Sequence, residues 1–169
     1  MKTRASAGTV RHETPAWMAA LPGYRGYKEK ELRREDDRIL RQRVASLLRR
    51  HSDALRVILG THFRYGPDDL LQVTDHLADR LRSLADAVSS SAYGYDGLFD
   101  RQAVREEELD RVREMDREMM RLAVAMEERV LGLSTAAANP RRYMHVWKEL
   151  QGEAQALSGM LQHRADVLS

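Results

Sequence analysis

The sequence predicts an all-α fold, an antiparallel four-helix bundle made of two helical hairpins, with an N-terminal arm over residues 1–23 and the bundle over 24–169. Three observations predict it. Apolar residues recur at steps of three and four in four separate stretches, which on a 3.6-residue period puts each set on one helix face. The composition, 43% hydrophobic and 32% charged with only 10 Gly and 4 Pro, suits long helices and lacks the turn residues of an all-β chain. At 169 residues the chain is long enough for one domain with a real core.

The first 23 residues are unpatterned, with Thr3, Ser6, Gly8, Pro15 and Pro22 interrupting any helix, and they read as an arm. Trp17, Met18 and Leu21 are too apolar for plain linker, so the second half of the arm is expected to dock on the bundle or on a partner. A helix is expected from about Tyr27 to Leu59, stopped by Gly60. Leu32, Leu40, Val44, Leu47, Leu55 and Ile58 make its inward face, with Asp36 and His51 as polar intrusions on it. Arg34, Arg38, Arg41, Arg49 and Arg56 fall on the opposite side, and this basic outer stripe is the clearest surface feature of the chain.

Gly66 and Pro67 then start a second helix, with Asp68 and Asp69 favoured by the partial positive charge of its first turn. Leu70, Val73, Leu77, Leu81, Leu84 and Val88 form its stripe, which ends near Ser89–Ser91. A structured loop follows over 92–100, rich in Gly and Tyr; it either runs the length of the bundle or folds compactly, and the topology depends on which. The third helix is expected over Arg105–Leu133, with Glu106 to Glu108 in its first turn and Val112, Met115, Met119, Leu122, Met126, Val130 and Leu133 facing inward. A small-residue loop, 134–138, leads to Asn139-Pro140, a cap followed by proline at the first helical position. Tyr143, Val146, Leu150, Leu157, Leu161 and Leu168 carry the fourth stripe, and close approach of a neighbouring backbone would offset the cost of Gly152 and Gly159 beside it.

Gly23-Tyr24-Arg25-Gly26-Tyr27 and Gly94-Tyr95-Asp96-Gly97-Leu98 both precede a charged helix, a weak hint that the hairpins are tandem copies. The stretches 21–34 and 93–100 resemble segments of bacterial helical proteins, a resemblance that implies no activity.

The absence of cysteine excludes disulfides, thiolate metal sites and cysteine nucleophiles. No run of 18 apolar residues or signal-like segment is present, so the expectation is a cytoplasmic protein with no membrane span. Net charge is +2, but residues 1–59 carry 14 basic and 7 acidic side chains while 60–133 carry 10 and 16, an imbalance the two parts could satisfy by packing together.

A ferritin-like metal site needs Glu three residues before His, and the positions before His51, His76, His145 and His163 are Leu48, Val73, Arg142 and Met160. His145, Glu149 and Glu153 at four-residue steps read as a solvated face, and Met115, Met119, Met126, Met144 and Met160 as core filling. His51 reads as a buried histidine bonded to an inward carboxylate. No nucleophile elbow or phosphate-binding loop is present, so neither catalysis nor a cofactor is expected.

The expected role is therefore a non-catalytic interaction or scaffold protein. It would bind an acidic protein partner or self-associate through Trp17, Tyr24, Tyr27, Arg34, Arg38, Arg41, Arg49 and Arg56. The alternatives are a nucleic-acid-binding helical protein using the same arginines, and a ferritin-like metal-binding bundle.

Overall fold

The computed structural model describes residues 24–62, 68–91 and 106–167, with side chains from Glu35 onward in the first segment and without those of residues 68, 106 and 109. The described residues contain four helices: α1 (Tyr24–His62), α2 (Asp68–Ser90), α3 (Glu106–Ala136) and α4 (Pro140–Val167). Residues 37–169 form one compact unit that carries the core, and the chain up to Asp36 forms another. The arm, Pro67, Leu168 and the 92–105 connection, including the second half of the tentative repeat, lie outside the described residues.

Each helix buries a seam with an alternating four- and three-residue step, the pattern that keeps one face against its neighbours when helices wind gently around each other. In α1 the seam is Asp37, Arg41, Val44, Leu48, His51, Leu55 and Ile58; in α2 it is Leu70, Thr74, Leu77, Leu81, Leu84 and Val88, continued by Ser91 just past the helix end. In α3 it is Val112, Asp116, Met119, Ala123, Met126, Val130 and Leu133; in α4, Tyr143, Trp147, Leu150, Ala154, Leu157, Leu161 and Arg164. Asp37, Ser91, Trp147 and Leu161 are half-buried and the others are buried. Most of these positions were expected, but the seam admits more polar groups than the apolar stripes suggested.

Asp36 is exposed, and the inward acid of α1 is its neighbour Asp37. In α3 the buried seam positions are taken by Asp116 and Ala123, while their neighbours Met115 and Leu122, expected to face inward, sit half-buried beside the seam. Met119 and Met126 fill the core, with Met115, Met144 and Met160 at its margin.

Bonds between helices fix their arrangement. Ser52 Oγ donates to the Ala78 carbonyl at 2.8 Å between α1 and α2. Trp147 Nε1 donates to the Val73 carbonyl at 3.3 Å, and the hydroxyls of Thr74 and Tyr143 meet at 2.8 Å, joining α2 to α4. Arg164 joins α4 to Asp116 of α3, and His51 joins α1 to the Ala123 carbonyl of α3 at 2.8 Å. Around the core the order is thus α1, α2, α4, α3, with α2 and α3 across from each other. Arg41 reaches the carbonyl of Ser91, and Asp116 feels the charges of Asp37 and Arg41, so α2 ends and α3 starts at one end of the bundle. The 92–105 connection therefore does not have to span the bundle's length. Consecutive helices alternate in direction, and α1 and α3 run parallel side by side.

Helix boundaries differ from expectation at three places. α1 opens at Tyr24, three residues before the expected Tyr27. α1 continues through Gly60 to His62, where the glycine is exposed and no neighbour crowds it. α3 runs on to Ala136, which shortens the 134–138 loop to a turn at Ala137 and Ala138. The Asn139 cap is as expected: its Oδ1 accepts the Arg142 N–H at 3.2 Å, and Pro140 opens α4. Nothing stands within 4 Å of a Cβ built on Gly152 or Gly159, so no close approach offsets them; a Cβ built on Gly132 of α3 would instead stand 3.4 Å from Val146 Cγ1. The two glycines of α4 face open space because they lie on its outer side.

Candidate interaction face

The arginine stripe of α1 is taken apart by the fold. Arg41 is 5% exposed, not outward, because it occupies a seam position; its Nε donates to the Asp37 carbonyl at 3.3 Å and its guanidinium reaches Ser91. Arg49 pairs with Asp86 at 3.0 Å and Arg56 with Asp79 at 2.5 Å, while Arg82 of α2 pairs with Asp53 of α1 at 3.3 Å. The excess positive charge of the first third of the chain is thus partly matched by α2, by the ordinary exposed pairs that neighbouring helices form. Arg38 is exposed. Trp17 and the side chains of Tyr24, Tyr27 and Arg34 lie outside the described residues.

The surface that stands out is apolar and lies between α1 and α3. Of the five large hydrophobic side chains exposed among the described residues, Ile39 and Val57 belong to α1 and Val124 and Leu131 to α3, with Val57 66% and Leu131 65% exposed. α1 turns Arg49, Ser52 and Arg56 to α2, which leaves Arg50, Ala54 and Val57, at i, i+4 and i+7, on the side of α3. α3 turns Arg129 to Glu149 and Glu153 of α4, at 3.4 and 3.6 Å, which leaves Val124, Glu127 and Leu131 on the side of α1. The two stripes form the lips of the α1–α3 seam, where Ala54 and Met120 are half-buried against the core.

Within this seam lies His51, 4% exposed. Its ring is bonded to a backbone carbonyl, not to a carboxylate as expected from sequence, because the α1 seam brings it against the α3 backbone at the small residue Ala123. Burial holds its pKa below the ordinary histidine value, opposed by the Ala123 carbonyl and by Glu127, and assisted by Arg50. At neutral pH this is a neutral imidazole in the bundle wall.

At the Asp37 end, burial pushes the Asp116 carboxyl above its usual range against the pull of Arg164, and Oδ2 of Asp116 is buried with no hydrogen-bond partner. On the α3–α4 face, burial likewise raises Glu153, which shares Arg129 with Glu149, while exposed His145 sits 3.6 Å from Glu149. Among the described residues no three His, Asp or Glu side chains are grouped so as to hold a metal ion, and no helix is long and apolar enough to cross a membrane.

No family model, no curated protein and no solved structure matches this chain. The fold and its surface are what bear on function.

Proposed function

We propose that this chain is a non-catalytic helical bundle that works by binding another protein chain, a different partner or a second copy of itself, on the face between α1 and α3. One observation carries the reading. Among the described residues, four of the five large apolar side chains left exposed belong to the two helices of this face, whereas scattered single exposures are the norm on a soluble surface. A surface whose core is apolar and whose margin is charged has the make-up of a protein interface.

The arginine stripe supports this reading less than the sequence suggested, since Arg49 and Arg56 are engaged with α2 and Arg41 is buried. The same engagement makes nucleic-acid binding the weaker alternative, because phosphate contacts need cations on an open surface.

The test is photo-cross-linking in the cells that make the protein. A photoreactive amino acid at Val124 is expected to give a discrete covalent adduct, and the same group at exposed His76 of α2 is expected to give none. Absence of any adduct at Val124 would remove the interaction reading.

A further inference from the structure

We infer that the occupant of the α1–α3 face is a second copy of this chain, paired about a two-fold axis that runs parallel to the helices. This inference deepens the interaction reading above and rests on it. The argument comes from the levels at which the charges and apolar groups of the two lips stand.

α1 and α3 run in the same direction, and His51 bonded to Ala123 marks one common level on both. Arg50 stands at that level on one lip, and Glu127 stands one helical turn further along the other; both act on the protonation of His51. Both are exposed, and neither has an ion-pair partner among the described residues, where most charged side chains of the surrounding surface are paired. Val57 lies six residues beyond His51 and Leu131 eight beyond Ala123, so these two stand within about 3 Å of one level.

An axis along the helices preserves height and exchanges left for right. It therefore sets α1 of one copy against α3 of the other, with Val57 across from the partner's Leu131 and Arg50 within reach of the partner's Glu127. Symmetry supplies each contact twice. An axis across the helices would instead set α1 against α1, with the basic lip of Arg43 and Arg50 facing itself. Towards the Asp37 end, Arg43 stands near the level of Arg117, so like charges limit the contact to the part of the face from Arg50 towards Val57.

Sedimentation velocity on the full chain over a concentration series is expected to show a reversible monomer–dimer equilibrium. Arg50→Glu and Glu127→Arg are each expected to weaken the dimer by about tenfold, and the double swap to return it to within about threefold of the parent, since only the double variant restores opposite charges across the axis. Circular dichroism of each variant reports whether the bundle itself is intact.

The chain has no cysteine, so chains carrying Val57→Cys and chains carrying Leu131→Cys can be mixed and oxidised. Disulfides between unlike chains are expected to exceed those between like chains. A monomer at the highest soluble concentration, a double swap that fails to restore the dimer, or dominant Val57→Cys self-linking would each overturn the inference. A monomer combined with a Val124 photo-adduct to a different protein would overturn the second copy while leaving the interaction reading standing, and absence of any adduct would remove both.

Discussion

Arg164 Nε donates to Asp116 Oδ1 at 2.9 Å across the α3–α4 interface, with the two side chains 6% and 1% exposed. Both occupy seam positions that an aliphatic residue would otherwise fill. Removing two charges from water costs several kcal/mol each, and a single hydrogen bond that leaves Asp116 Oδ2 unpartnered returns that cost incompletely. We expect Asp116→Leu or Arg164→Met alone to destabilise the bundle by about 3–5 kcal/mol, because each leaves its partner's charge buried and uncompensated. The double variant is expected to be as stable as the parent or more so, by up to a few kcal/mol. Urea denaturation of the three variants measures this, and single variants as stable as the parent would show that the pair is not the closed unit described.

The seam shows which parts of the fold were legible and why. Leu77, Leu81, Met126 and Leu157 are apolar, and apolar periodicity locates a buried face directly. Arg41, Asp116 and Arg164 have the same spacing, but a charged residue at a seam position looks like one on a solvated face until the partner 48 residues away is seen. The spacing alone therefore predicts Arg41 in an outward stripe. The candidate face was hidden for the opposite reason: Val57, Val124 and Leu131 lie just outside the strict seam, where an apolar residue reads as a broadened core face. Only the helix order α1, α2, α4, α3 shows that they meet on one side and stay exposed.

His51 gives the stability of the bundle a slope on the acid side of neutrality. Burial holds its folded pKa below the unfolded value, so the unfolded chain binds the proton more readily. The stability it contributes is fully present above about pH 6.5 and is lost as the pH falls through that value towards the lower folded pKa. Denaturation midpoints are expected to fall between pH 7 and 5, and His51→Gln is expected to flatten that segment. Asp116 acts in the other sense: its raised folded pKa adds stability as the pH falls, so the His51 variant should keep or gain stability on acidification. An unchanged slope in His51→Gln would count against the buried neutral imidazole.

The Asn139 cap closes the short turn between α3 and α4. Its Oδ1 satisfies the Arg142 N–H, one of the donors that the first turn of α4 cannot satisfy itself, and its carbonyl takes the first helical bond from Tyr143 at 2.9 Å. Asn139→Ala is expected to cost about 1 kcal/mol and Asn139→Asp much less, since aspartate also accepts from the turn. Because Asn139 is exposed, the loss is a capping effect and not a packing one, and thermal melts of the two variants separate these.

Thr74 and Tyr143 tie α2 to α4 at the end of the bundle opposite the Asp116 pair, through a 2.8 Å bond between buried hydroxyls. Tyr143→Phe keeps the ring but leaves the Thr74 hydroxyl without that partner, and about 1–3 kcal/mol of stability is expected to be lost. Adding Thr74→Val removes the stranded group with little change of shape and is expected to recover part of the loss. Alkali provides an independent reading of the same contact. Burial raises the phenol's folded pKa, against the hydrogen bond from Thr74, so the unfolded chain releases the proton first and stability is lost as the pH rises beyond about 10. Denaturation at rising pH should show that loss in the parent and a shallower one in Tyr143→Phe; equal slopes would mean that Tyr143 does not stay protonated inside the bundle.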